Sequence, residues 1–566
     1  MPDKSNKVIR FFKEFKRRKV GRVLIAYAGI AAVIIGIIPI IEEELSLWGD
    51  TSTLVIILLA IGLPIAGILT WGYQMKSKEE IQPENEDSDK NKTLLGTPLS
   101  YEKSIIVLPF ENISSDPEQE YFSDGLTEEI ITDLSHIQDL LVISRNSAMT
   151  FKGTNKKVKE IANDVNVQYA LEGSVRKAGN NLRISAQLVD ATTDTHLWSE
   201  KYGGTIDDIF DIQEKVSRSI VNALKVKLSP IEDKRITENQ INNIQAYECY
   251  LKARQEMWKW TEDGLDQAKT LIDKGLQILG DNELLHTAKG IIYLQYINFG
   301  ISKDRNLLDK GGKCALQALE LNPKSSHAYF LLGFIDCWRP NIEGAVKNLK
   351  KSLELDPRNS ETLNMLAYQY AISGKNSLSA PMFRDAFKLD PFNPLIYAFF
   401  SAAELYEGRF ESSKEYNLKY LQLDPNNPLM KVCYSFVLAY NNQPDDAINN
   451  IDQLLKDDPQ STFSQLGIFL KHALQGNKDE AIKSVTDSLK TALRDNNLYP
   501  LFMADCYSLI NEKETAIDWV ENSTQWGFIN YNYLNQHAPF LDNIRGEPKF
   551  KKLMKRVKKE WESFEV

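Results

Sequence analysis

A chain of 566 residues with 25% charged and 43% apolar residues is long enough for several folded units. Its net charge of −10 combines a basic start, +7 over residues 1–22, with an acidic remainder of −17; this disfavours nucleic acid as the main partner, since phosphate binding needs a basic footprint. The five cysteines (Cys249, Cys314, Cys337, Cys433 and Cys506) and six histidines are scattered, which argues against a disulfide framework or a zinc site.

After the basic segment 1–22, Val23–Ile41 is free of charge, and so is Thr51–Met75. Each is long enough, at about 1.5 Å per helical residue, to cross a hydrocarbon core. The nine residues between them carry four acids and no base, while Lys13, Lys16, Arg17, Arg18, Lys19 and Arg22 precede the first run and Lys76 and Lys78 follow the second. The positive-inside rule then predicts a two-helix transmembrane hairpin over 23–75 with both ends in the cytoplasm. The full-length first run and the lack of a small-residue cleavage site disfavour a signal peptide. Expected location is the bacterial inner membrane, with the soluble domains cytoplasmic; a periplasmic placement is the alternative if one run does not cross. Residues 76–101 are acidic and poor in large apolar side chains, and read as a flexible linker.

Residues 102–230 read as a small α/β domain. Ser104–Phe110 is a β-branched run fit for a buried strand, and Leu140–Arg145 a second. Lys156–Val167 suits a short helix. Tyr169–Lys177 and Leu182–Asp190 flank the turn signal AGNN, and Thr195–Tyr202 makes a third strand of this group. Ile206–Leu228 reads as an amphipathic helix, and Trp198 is expected in the core. Between the first two strands, Glu111–Asp133 holds eight carboxylates and no Lys or Arg. Ser123 or Asp124 is expected to cap a helix with Thr127, Glu128 and Glu129 in its first turns, where acids oppose the helix dipole. The alternative is a metal or acid–base site built from Asp116, Glu118, Glu120 or Asp124. No phosphate loop, dinucleotide fingerprint, nucleophile elbow or kinase set occurs, so no cofactor and no catalysis are expected.

The runs IIVLPFENISSDPEQEYFSDGLTEEI, LLVISRNSAMTFKG, YALEGSVRKAGNNLRISAQLVDATTDTHLWSEKY and DIFDIQEKVSRSIVNAL resemble the TolB N-terminal-like (FlgO-like) domain. That resemblance implies an α/β module without established catalysis. It is often placed between an N-terminal module and helical repeats; in relatives that module can be a winged-helix DNA-binding or adenylate cyclase domain.

From about 240 to 540, Pro323, Pro357, Pro391, Pro425 and Pro459 recur every 34 residues, each closing a phrase such as LELDP. Ala345, Ser379, Ser413, Ala447 and Ala481 keep the same step. This period and its closing Asp/Asn-Pro resemble tetratricopeptide repeats: helix pairs in which a small residue lets the two helices touch and proline fixes the next turn. Asn417 departs from the pattern, standing where an apolar residue is expected. Residues 541–566 hold a basic capping helix whose Phe550, Leu553, Met554, Val557 and Trp561 form an apolar stripe. The resemblance implies a peptide-binding concave face lined by His327, Phe330, Phe334, Glu361, Asn364, Tyr368, Val432 and Phe436.

The fold class expected is therefore multidomain: two transmembrane helices, a small α/β domain and an all-α tetratricopeptide solenoid. The function expected is a non-enzymatic, membrane-anchored interaction scaffold with a protein or peptide partner and a lipid bilayer, and homo-oligomerisation left open. A regulatory component controlling a separate effector is the alternative, and a metal-dependent enzyme using residues 111–133 a further one.

Overall fold

Strand β1 (Lys103–Val107) is buried along almost its whole length, as a β-branched run in the middle of a sheet must be. The computed structural model describes residues 103–237 and 241–565. The basic N-terminus, the hairpin 23–75 and the linker 76–101 lie outside the described residues. Among the described residues no helix is long and apolar enough to cross a membrane.

The other strands are β2 (Glu111–Asn112), β3 (Leu140–Val142), β4 (Tyr169–Ala178), β5 (Asn181–Asp190) and β6 (Thr195–Thr205), in the order β3-β1-β4-β5-β6 with β2 beside β4. Strands β3, β1 and β4 run parallel; β4, β5 and β6 run antiparallel. Gly179, at φ +59°, supplies the left-handed residue that the tight β4–β5 hairpin needs. Leu182, Ile184, Ala186 and Leu188 alternate inward, as the period-2 pattern predicts. They face helix α4 (Ile209–Ala223), which packs on α1 (Glu120–Ser135). The short helices α2 (Arg145–Met149), α3 (Val158–Asp164) and α5 (Pro230–Thr237) complete this part. Trp198 is only half-buried, because β6 is an edge strand; a register shift between Leu188 and Val189 leaves Leu197 exposed beside it.

The acidic stretch folds differently from expectation. Asp116 and Pro117 open a 3-10 turn in which Asp116 Oδ1 accepts from the Glu118 amide at 3.0 Å, and α1 follows at Glu120. Asp124, Glu128 and Glu129 therefore stand inside the helix rather than at its cap. The strand expected over Leu140–Arg145 stops at Val142, because Ser144 caps α2 by accepting from the Ser147 amide.

Antiparallel helix pairs make up the rest: α6 (Ile244–Met257) with α7 (Glu262–Leu279), α8 (Glu283–Asn298) with α9 (Asn306–Leu321), α10 (Ser326–Cys337) with α11 (Ile342–Leu355), and α12 (Ser360–Ile372) with α13 (Asn376–Leu389). They continue with α14 (Pro394–Tyr406) and α15 (Phe410–Leu423), α16 (Pro428–Tyr440) and α17 (Pro444–Asp457), and α18 (Thr462–Leu474) with the broken pair α19 (Lys478–Ser484) and α20 (Asp487–Arg494). Then come α21 (Tyr499–Leu509) with α22 (Lys513–Gln525), and last α23 (Pro548–Ser563). This is a tetratricopeptide-like helical repeat region. The first helix of a pair also touches the first helix of the next, as α12 touches α14 and α16 touches α18.

The 34-residue signature has a local cause. Ala345, Ser379, Ser413, Ala447 and Ala481 are buried where paired helices cross. Asp390 and Asp424, just before their prolines, accept from Asn393 and Asn427, and these asparagines cap the next helix through the Leu395 and Met430 amides. Asn417 is buried and donates to Ser401 Oγ at 2.8 Å, so a polar contact replaces the apolar one. Gly290 permits a close crossing: a Cβ there would lie 2.3 Å from Leu331 Cδ2 and 3.1 Å from the Gly311 carbonyl. Gly290→Ala is expected to lower stability by about 1–3 kcal/mol through overpacking, read as a shift in the denaturant midpoint at unchanged slope.

Candidate partner-binding surface

Two segments of the chain itself lie against the repeats. The first is the α/β module. Ser144 and Ser147 at the start of α2 both donate their hydroxyls to Asp390, the Ser147 bond measuring 2.6 Å. The Ser144 amide donates to the Leu389 carbonyl at 2.7 Å, and the Phe392 amide to Ser147 Oγ at 2.9 Å. Phe151 meets Phe392 edge to face at 5.5 Å. One repeat earlier, Arg358 donates to the Ile137 carbonyl at 2.7 Å and also to that of Leu140. The module thus sits on the Asp-Pro turns that precede α12 and α14. These turns offer fixed, partly desolvated acceptors and donors, a good lattice for a second folded surface.

The second segment follows α22. Phe528 and Tyr533 pack on Tyr406 at 5.1 and 5.0 Å, and the Ile529 amide and Asn530 Nδ2 donate to the Ile372 and Ala371 carbonyls. These contacts lie at the C-terminal ends of α12 and α14, opposite the module. Arg305, ahead of α9, lies over the Trp526 ring at 4.9 Å, so the end of the array returns to its beginning.

The residues expected on a concave face divide accordingly. Tyr368 stacks on Phe399 at 4.3 Å, and Phe436 on Phe502 of α21 at 4.5 Å. Phe330, Asn364, Tyr368, Val432 and Phe436 are buried; the array's own helices take up Tyr368 and Phe436, while Phe330 lines the cavity of His327 and Glu361. Phe334, half-buried, leans on Phe330 at 5.7 Å. His327 and Glu361 open into a cavity of about 220 Å³ where α1 and α6 meet α10 and α12.

That cavity collects the second half of the acidic stretch. Glu128 is bound by Arg145 at 2.9 Å and by Arg254. Asp133 accepts from Ser217 at 2.8 Å. Burial, with Asp133 and Glu128 alongside, pushes Glu129 up to about 8 against the pull of Arg254. Burial likewise lifts Asp133 to about 7 and raises Glu361. Among the described residues no group of three or more His, Cys, Asp or Glu is arranged to hold a metal ion. The arrangement can store protons between two packed parts of the chain. Sequence reasoning missed this because the partners of Glu128 and Glu129 come from α2 and α6, far along the chain.

A carboxyl raised on folding contributes stability that is fully present below its ordinary pKa and lost as pH climbs through the raised one. The contact between module and array is therefore expected to weaken from about pH 4.5 to about pH 8. Glu129→Gln should flatten this dependence, raising the melting temperature at pH 8.5 by about 2–4 °C and changing it little at pH 5.

A second feature without a sequence signal is the exposed pair Trp258 and Trp260, at 36% and 58%. Trp260 holds φ +54°, a strained setting for a bulky residue, and stacks toward Phe299 at 5.6 Å, while Arg145 lies over Trp258 at 4.4 Å. Aromatic side chains flanked by arginine are the usual anchors of protein interfaces.

Comparison with known proteins adds the following. Residues 101–218 match the family model for the second domain of HilA/YgeH-like transcriptional regulators; the TolB-like name given by the motifs is not the one this match carries. A protein of Rhizobium meliloti (strain 1021) named putative adenylate cyclase 3 is 35% identical over 279 residues, 49% of this chain and 46% of that one. The chain thus matches less than half of that relative's length. Among solved structures, the type IV pilus biogenesis factor PilW aligns over 40% of this chain and 98% of its own at 18% identity and TM-score 0.33. TolB from Acinetobacter baumannii aligns over 23% and 30% at 19% identity and TM-score 0.18. Likeness at that level adds nothing to the helix pairing described above.

Proposed function

We propose that the chain is a non-catalytic interaction scaffold, anchored to the bacterial inner membrane by the hairpin 23–75, with its soluble parts cytoplasmic. The observation that carries this reading is the grip of the repeat turns on a folded module through Asp390 and Arg358. Helical repeats are suited to holding other polypeptides, and here they hold one in cis. A protein or peptide partner would engage the Trp258–Trp260 pair and the cavity mouth at His327 and Glu361. The regulatory alternative is favoured by one observation: the matched relative and the matched family are named for a cyclase and a transcriptional regulator, proteins with an output activity. In that version the partner is itself the effector.

Photo-crosslinking tests the reading. A benzophenone side chain replaces Trp260 in the full chain in cells, with exposed Lys483 on α19 as control site. Discrete protein adducts at 260 and none at 483 are expected. Adducts carrying a nucleotide-cyclase or DNA-binding domain select the regulatory version. No adduct from 260 in any growth condition contradicts the assignment of this surface.

A further inference from the structure

We propose that the free lysine face of α23 is a docking surface for an anionic lipid bilayer. This rests on the membrane anchor proposed above. The helix carries seven bases and two acids, in a chain whose residues beyond 22 sum to −17. Its apolar side is used: Phe550, Leu553, Met554 and Val557 are buried against the array. Two of its bases are used as well. Lys549 pairs with Glu514 at 3.1 Å and Asp518 at 2.6 Å, and Arg556 with Glu521 at 2.9 Å, all three acids on α22. A third, Lys558, is shared with Glu562 at 3.7 Å.

Lys551, Lys552, Lys555 and Lys559 remain. All four are exposed, and no side-chain hydrogen bond or ion pair joins them to another described residue. At 100° per residue they fall within an arc of about 100°, opposite the buried stripe. The result is a convex strip of ammonium groups on a rigid helix, against an otherwise acidic body.

The choice of occupant follows from the residue type. Specific carboxylate recognition favours the planar fork of arginine, and the helix's one arginine is already committed to Glu521. Lysines on flexible stems act as point charges and suit a diffuse negative surface such as lipid headgroups. Because the apolar side is buried in protein, this contact is electrostatic, without insertion. The docked face fixes which side of the array meets the membrane.

The test uses the full chain in vesicles, with a fluorophore on a cysteine introduced at Ser563, at the end of α23, and brominated lipids as quencher. Vesicles hold either about 30 mol% phosphatidylserine or phosphatidylcholine alone. Quenching is expected in the anionic vesicles at about 0.1 M salt, falling several-fold at about 1 M salt, where the Debye length drops to about 3 Å. The variant K551Q/K552Q/K555Q/K559Q should lose it in the same measure. Equal quenching in both lipids, or quenching unchanged in the variant, overturns the proposal. So does a fluorophore that responds to neutralising the six acids of residues 79–89 rather than to lipid, which would make the linker the occupant. Alkaline carbonate extraction separates the two readings. A chain that leaves the vesicles there fails the anchor; one that stays but shows no lipid-dependent quenching fails only the docking face.

Discussion

Asp390→Ala is expected to release the α/β module from the repeats at a cost of about 2–4 kcal/mol. Asp390 is fully buried and accepts from Ser144, Ser147 and Asn393, the last at 2.8 Å. Alanine leaves these donors facing a small void without an acceptor. It also loosens the turn that caps α14, since Asn393 loses the partner that orients it. Asp390→Asn keeps one acceptor oxygen and should recover roughly half of the loss. The measurement is a denaturant titration of both variants beside the double variant S144A/S147A. If the carboxylate acts through these hydroxyls, Asp390→Ala should cost little more once S144A/S147A is already in place.

Arg254→Met should have an effect of similar size with a different pH dependence. Arg254 and Arg145 share Glu128, and Arg254 alone among these bases opposes the charge of Glu129. Removing one partner of a fully buried pair costs about 3–5 kcal/mol; the side chains here keep 28% and 17% exposure, which reduces the expected loss to about 2–3 kcal/mol. Methionine keeps the apolar stem and removes only the charge. The loss should be largest at pH 8.5, where Glu129 is ionised, and shrink as pH falls through about 8 and Glu129 takes up its proton. Melting curves at pH 5 and pH 8.5 read this directly; an equal loss at both would mean that Arg254 acts through its pair with Glu128 and not through Glu129.

The repeats are legible in the sequence because their signature is covalent and local. Proline at a fixed step, with Asp or Asn before it and a capping Asn or Ser two residues after it, forces the same turn each time, and a small residue must recur where two helices touch. The sheet is legible from its alternation, while its short pieces are not. Nothing in the run after Val142 forbids a longer strand until Ser144 is seen to cap α2. The start of α1 moves by one turn because Asp116 caps a 3-10 turn that runs directly into the helix at Glu120. The docking of module on array is illegible for a physical reason. Ser144, Ser147 and Asp390 each have a sufficient local role as cap or turn residues, and their mutual bonds span more than 240 residues. The fate of the expected concave face is hidden in the same way. Period identifies which helix faces inward, but only the path of the whole array brings Phe502 onto Phe436 and Phe528 onto Tyr406. In sequence the lysines of α23 form one solvated face of a capping helix; the structure divides them into those that pair with α22 and those left free.

Hydrogen exchange of the full chain, compared with its Asp390→Ala variant, tests the central claim that the repeat turns hold the module in place. Faster exchange confined to residues 136–151, 356–361 and 389–393, with the chemically equivalent turn at 424–428 unchanged, is the predicted result. That turn has the same Asp-Pro sequence and capping asparagine but no bond to the module among the described residues. Equal acceleration at 389–393 and 424–428, or none at 136–151, would contradict it, since the carboxylate would then serve only its own turn.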